Sequence, residues 1–145
     1  LDWAAFLEGA AARARTPEQR TVFDSHRLSA YLELGQPERA VPMLEASERD
    51  LPDDYNPPAR LAAAYRAMKR WDEALAASDR ALAKVYGPRK LGIYSARADI
   101  LGGRGDTAAA RRALEEALAY ADSLPAEQRS EGMLAALRKK LEALE

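Results

Sequence analysis

Residues 69–88 read KRWDEALAASDRALAKVYGP, and much of that order occurs twice more. Residues 35–52 read GQPERAVPMLEASERDLP, and residues 105–125 read GDTAAARRALEEALAYADSLP. Aligned on Ala40, Ala74 and Ala110, the stretches are spaced by 34 and 36 residues. Downstream of each alanine come Leu44, Ser78 and Leu114, then Ser47, Ala81 and Ala117. Upstream come Tyr31, Tyr65 and Leu101, then Leu28, Ala62 and Ala98. A turn position carries Gly35, Lys69 and Gly105, while Pro52, Pro88 and, slightly late, Pro125 close the units. Small residues at helical spacing, punctuated by turn residues, describe a helix, a tight turn and a second helix, three times over.

The rest of the chain agrees with an all-helical reading. Val and Ile total five residues, while Ala and Leu crowd every segment, so strands are not expected. With 145 residues, 48% hydrophobic and 31% charged, the chain is long and apolar enough for one domain with a real core. It has no cysteine, which removes disulfides, thiolate metal sites and cysteine nucleophiles. No apolar run approaches the roughly 18 residues that a membrane span needs. No signal peptide is visible, so a soluble chain, cytoplasmic or periplasmic, is expected. The net charge of −1 gives no bulk attraction to nucleic acid or to an anionic membrane. That charge is uneven: residues 1–54 hold 11 acidic and 6 basic side chains, residues 55–145 hold 12 and 16. The start at Leu1 rather than Met points to a piece of a longer protein. Abundant alanine and 17 Arg against 5 Lys suit a GC-rich bacterial source.

Start and stop signals place the helices. The first helices fall at 17–34, 57–69 and 89–102, the second at 37–50, 71–85 and 106–122. Thr16-Pro17-Glu18-Gln19 is a capping box with Pro at the first helical position. Gln36-Pro37, Asn56-Pro57 and Gly87-Pro88 put Pro at similar places, and Asp106 is a natural N-cap. Residues 2–14 make an additional leading helix. Residues 125–144 make a capping helix, with Leu134, Leu137, Leu141 and Leu144 on one face and Arg138-Lys139-Lys140 nearby. The organisation is a leading helix and linker (1–20), units at 21–54, 55–90 and 91–124, and a cap (125–145). Pro42 lies inside a second helix, where it removes a hydrogen bond and predicts a kink.

This pattern resembles the tetratricopeptide repeat. The resemblance rests on Leu61, Ala62, Tyr65, Ala74 and Ala81 in the second unit. Tyr31, Gly35, Ala40 and Pro52 carry it in the first, and Ala98, Gly105, Ala110 and Ala117 in the third. It covers about residues 21–124. The family's Trp position is empty, and its second-helix aromatic is replaced by Leu44, Ser78 and Leu114. The resemblance implies an all-α, right-handed solenoid whose first helices line a concave groove. A weaker resemblance is to repeat regions appended to bacterial thioredoxin-like proteins. It is carried by HRLSAYLELGQPERAVPMLEASERDLPDDYNPPARLA (26–62) and YGPRKL (86–91).

Helical spacing then nominates the groove residues. Ser25, Ser29 and Leu32 share one face, with Glu33 at its edge. Asn56, Ala59, Ala63 and Arg66 share the next, and Gly92, Ser95, Asp99 and Gly102 the third. Such a groove would take an extended peptide or a partner helix, or pack against another domain of the same chain. Its small side chains are not the Lys/Asn clamp with which relatives grip a chaperone tail.

Other motifs read as structure. His26 is the only histidine and has no metal-spaced companions, so no metal is expected. Arg104-Gly105-Asp106 spells an adhesion tripeptide but sits where the repeat needs a turn and a cap. Gly102-Gly103-Arg104-Gly105 has no preceding strand and is no phosphate loop. Glu115-Glu116 and Asp53-Asp54 read as solvated pairs. Trp71 reads as packing between units, and Trp3 with Phe6 and Leu7 as either a cover for the first unit or a docking face. The basic set Lys84, Arg89, Lys90, Arg97, Arg104, Arg111 and Arg112 lacks the repeated polar pair that base reading requires. The expected work is non-catalytic and cofactor-free: binding a protein or peptide partner, or serving a thioredoxin-like protein as its substrate-positioning arm.

Overall fold

Alanine decides where these helices can touch. Ala74, Ala77 and Ala81 recur on one face of a helix, and Ala110, Ala117 and Ala121 on one face of another; all are buried. A methyl group at a crossing lets two helix axes approach closely, so the chain stacks helix on helix. The computed structural model describes residues 2–145. Their order is α1 (Trp3–Ala12), α2 (Pro17–Thr21), α3 (Asp24–Glu33), a 3-10 turn (Pro37–Arg39), α4 (Ala40–Asp50), α5 (Asn56–Ala67) and α6 (Trp71–Lys84). Then come α7 (Arg89–Gly103), α8 (Thr107–Ser123), a 3-10 turn (Ala126–Gln128) and α9 (Glu131–Ala143). No strand occurs among the described residues. The architecture is an α-solenoid of helical repeats, paired α3/α4, α5/α6 and α7/α8.

The turns inside these pairs are alike. Gly35, Lys69 and Gly105 all have positive φ, at 69°, 59° and 91°. The next residue's N–H reaches back five positions each time: Gln36 to Tyr31 O, Arg70 to Tyr65 O and Asp106 to Leu101 O, at 2.8–2.9 Å. This closes each first helix with a left-handed residue and a reversed hydrogen bond. Lys69 fills that place with a side chain, at a cost of about 1–2 kcal/mol for the left-handed backbone.

Caps appear where the sequence places them. Thr16 Oγ1 accepts from Gln19 N–H at 3.1 Å, and Gln19 Oε1 accepts from Arg15 N–H at 2.9 Å. Asp106 accepts from Ala109 N–H at 3.0 Å. Trp71 packs between units as expected, its ring against the backbone of Gly103, where a Cβ would lie 2.7 Å from the ring edge.

Three expectations need correction. The helix expected over 17–34 breaks at Val22–Phe23 into α2 and α3. Asp24 restarts it, with its carboxylate turned inward to Ser47 of α4. The helix expected over 37–50 opens as a 3-10 turn, and its α-helical part starts at Ala40. Pro42 is thus the third residue of α4, in a first turn whose N–H groups have no intrahelical acceptor to lose. The cap expected from 125 starts at Glu131, after an extended Pro125 and a Ser130 N-cap that accepts from Met133 N–H at 3.2 Å.

Candidate functional site: the row of first helices

Successive first helices touch one another, α3 with α5 and α5 with α7. α3, α5 and α7 therefore stand side by side in one row along the array. Ser25 and Ser29 of α3 are exposed there, as is Leu32. Ala63 and Arg66 of α5 and Gly102 of α7 are exposed too. Among the described residues the side chain of Arg66 forms no ion pair or hydrogen bond, while its carbonyl accepts from Lys69 N–H at 2.9 Å.

Glu33, at the edge, is exposed, and Gly92 has open space beside it, whereas Asn56, Ala59, Ser95 and Asp99 are engaged within the fold. Asp54 Oδ1 accepts from the backbone N–H of Asn56 at 2.8 Å and from its side-chain amide at 2.9 Å, so Asn56 secures the start of α5. Ala59 is half-buried against the cluster of Ala81, Val85 and Ile93. On α7, Lys140 Nζ of α9 donates to Ser95 Oγ at 2.7 Å and lies 2.9–3.0 Å from both oxygens of Asp99. The third station of the row is therefore occupied by the protein's own cap. Beside this contact is a small cleft of about 380 Å³, lined by Asp99, Gly102, Leu114, Lys140 and Leu144.

A further concavity lies at the start of α5 and includes the nominated Asn56. The loops around Asp53-Asp54 and Lys84–Arg89 enclose a cleft of about 590 Å³. Tyr86, on its wall, is 85% exposed. Tyr120 Oη accepts from Gly87 N–H at 3.1 Å and holds this loop. The sequence signals here, Asp53-Asp54, Asn56-Pro57, Gly87-Pro88 and the basic Lys84 and Arg89, speak of a solvated surface and of turns, not of an exposed ring.

Asp24 is the one charged residue type buried without exposed surface among the described residues. Its Oδ2 accepts from Ser47 Oγ at 2.7 Å; its Oδ1 has no partner. Burial pushes its carboxyl above the ordinary aspartate range, opposed by the Ser47 bond and the charges of Arg60, Arg27 and Arg20. An acid raised this way stabilises the fold below its unfolded pKa, and that contribution is lost as pH rises through the folded value. Asp24→Asn is therefore expected to raise the melting temperature at neutral pH, with the gain fading as pH falls through the raised folded value and gone by pH about 4. Melting curves of both proteins across that range check this; a gain that persists in acid would contradict it.

Among the described residues no group of three or more His, Cys, Asp or Glu is placed to hold a metal. His26 is exposed. Arg104-Gly105-Asp106 is a turn, with Arg104 paired to Asp72 at 3.2 Å. No helix is long and apolar enough to cross a membrane.

Against known proteins, residues 55–123 match the family model of the tetratricopeptide repeat. Neither the curated proteins nor the solved structures gave a match. Tetratricopeptide repeats generally mediate protein–protein interaction, and the family is typically a non-catalytic scaffold. The matched segment runs from the residue before α5 to the last residue of α8, the two pairs with the longest helices. Residues 55–123 are thus similar to tetratricopeptide repeats, within an α-solenoid of helical repeats.

Proposed function

We infer that the chain is a protein-interaction scaffold whose concave row holds a partner segment, an extended peptide or a helix, against α3 and α5. The observation that supports this most is the contrast along the row. Ser25, Ser29, Leu32, Ala63 and Arg66 are open, while Ser95 and Asp99 are filled by Lys140. Small side chains leave room for the partner's larger ones. Arg66, the uncompensated cation at the centre, favours an acidic side chain or a carboxylate there. The contact is one of shape with few polar bonds.

A photo-crosslinking residue at Ala63 tests this against one at Ala119, which is exposed on α8. A polypeptide captured from Ala63 and absent from Ala119 is the expected result. Ala63→Trp should then weaken its binding about tenfold or more, some 1.4 kcal/mol, in a calorimetric titration, and Arg66→Glu should weaken an acidic segment further. Identical captures from both positions would remove the groove from consideration.

A further inference from the structure

The loops that lead into α5 and α7 enclose the cleft of about 590 Å³. Four charged residues line it, and two of them are already engaged. Asp54 holds the start of α5 through Asn56, and Lys84 lies 3.8 Å from Glu48 of α4. The other two are Asp53, in the loop before α5, and Arg89, at the start of α7. Both are exposed, and neither side chain has an ion-pair or hydrogen-bond partner among the described residues. They are opposite in sign and line one space, yet they lie farther apart than an ion pair allows.

The wall formed by residues 84–89 offers main chain as well. Val85 is extended, at φ −89° and ψ 150°. Among the described residues the N–H and C=O of Tyr86 have no partner, whereas the next N–H, that of Gly87, is taken by Tyr120. The Tyr86 ring stands almost fully in solvent. Gln128, from the loop after α8, adds a free amide at the rim.

We propose that this cleft binds a short free peptide of two or three residues. Its ammonium end lies on Asp53 and its carboxylate end on Arg89. Between them a peptide bond pairs with the main chain of Tyr86, and a side chain rests on the Tyr86 ring. The two unlike charges select this ligand. A ligand with one charge meets one complementary side chain and one of its own sign. An internal segment of a protein brings neither chain end. A free amino acid carries both charges on a single carbon. A round space of that volume is about 10 Å across, and an extended chain advances about 3.3–3.6 Å per residue, so two or three residues span it. Each contact has a known physical basis. A guanidinium takes a carboxylate through two parallel hydrogen bonds, and an extended main chain with open N–H and C=O takes another by strand addition. The site shares no residue with Ser25, Ser29, Leu32, Ala63 and Arg66, so it stands apart from the row.

Titration of the 145-residue chain, followed by its amide NMR spectrum, tests this with the tripeptide alanyl-phenylalanyl-alanine as the probe. Saturable shifts are expected at residues 53–56 and 84–89, with binding in the millimolar range or tighter. Acetylating the amino end or amidating the carboxyl end should each weaken binding about threefold to fivefold, the contribution of an exposed ion pair. Two variants divide these effects. Asp53→Asn should bind the free and acetylated forms equally and still prefer a free carboxyl end. Arg89→Gln should do the reverse. Both residues are exposed, so amide positions away from the cleft should stay where they are. Shifts that do not saturate in the millimolar range would overturn the proposal, as would a doubly blocked tripeptide that binds as well as the free one. Tighter binding of phosphocholine, a dipole of another class, would overturn it too.

Discussion

Leu137→Ala is expected to loosen α9 while the pairs before it stay folded. Leu137 is the one fully buried side chain of α9, packed among Leu91, Leu101 and Leu114. Truncating a buried leucine costs about 2–5 kcal/mol, depending on how far the cavity closes. Here the loss falls on a terminal helix that touches only its neighbours, so local opening relieves it. Hydrogen exchange should quicken over residues 131–143 well before it does over α5 and α6. Lys140 sits on the same helix, so loosening α9 also frees Ser95 and Asp99 and lengthens the open row by one station. Lys140→Ala separates the two effects. It frees the same residues, but the half-exposed ion pair contributes only about 0–1 kcal/mol. Unchanged exchange in Leu137→Ala would mean that the half-buried Leu134 and Leu141 suffice to hold the helix.

Ala74→Leu carries the second large effect. Ala74 has no exposed surface and lies where α6 crosses α5, beside Leu61 and Ala62. Three added carbon atoms find no free space there, and overpacking a close crossing costs about 1–3 kcal/mol or more. Ala76→Leu, two residues along on the exposed side of the same helix, adds the same atoms in solvent and should change stability by less than about 0.5 kcal/mol. Urea denaturation of the pair measures the difference with helix propensity held nearly constant. Equal midpoints would show that the crossing can spread, and that alanine is not what sets the helix spacing.

The elements that could be read from the sequence are those whose cause is local. Asp106 and Thr16 announce a cap by residue type, and Gly35 and Gly105 announce a left-handed turn. The recurring alanines mark crossings, because a small residue is tolerated anywhere but required only at close approach. Lys69 was readable as a turn only through its place between two glycines of the same register. What could not be read depends on residues far apart in the chain. Nothing about Asp99 says that Lys140, 41 residues later, will take it. Asp24 looks like any acidic residue near a helix start, and its burial follows from the position of Ser47. The break at Val22–Phe23 lies beside the last turns of α4, where Arg20 meets Asp50 and Asp24 meets Ser47. The row of first helices was therefore legible, and the part of it that the cap covers was not.

Trp71 lying on the backbone of Gly103 has a consequence for how the chain comes apart under load. The ring bridges α6 and α7, and Tyr120 ties the loop between those helices to α8. The first pair differs: its helices are shorter, and α2 is cut off from α3 at Val22–Phe23. Pulled by its two termini, the molecule should yield first at the N-terminal side, α1 to α4 peeling away in small steps, while α5 to α8 resist until they give way together. A force–extension trace should show a soft, gradual lengthening followed by one abrupt release.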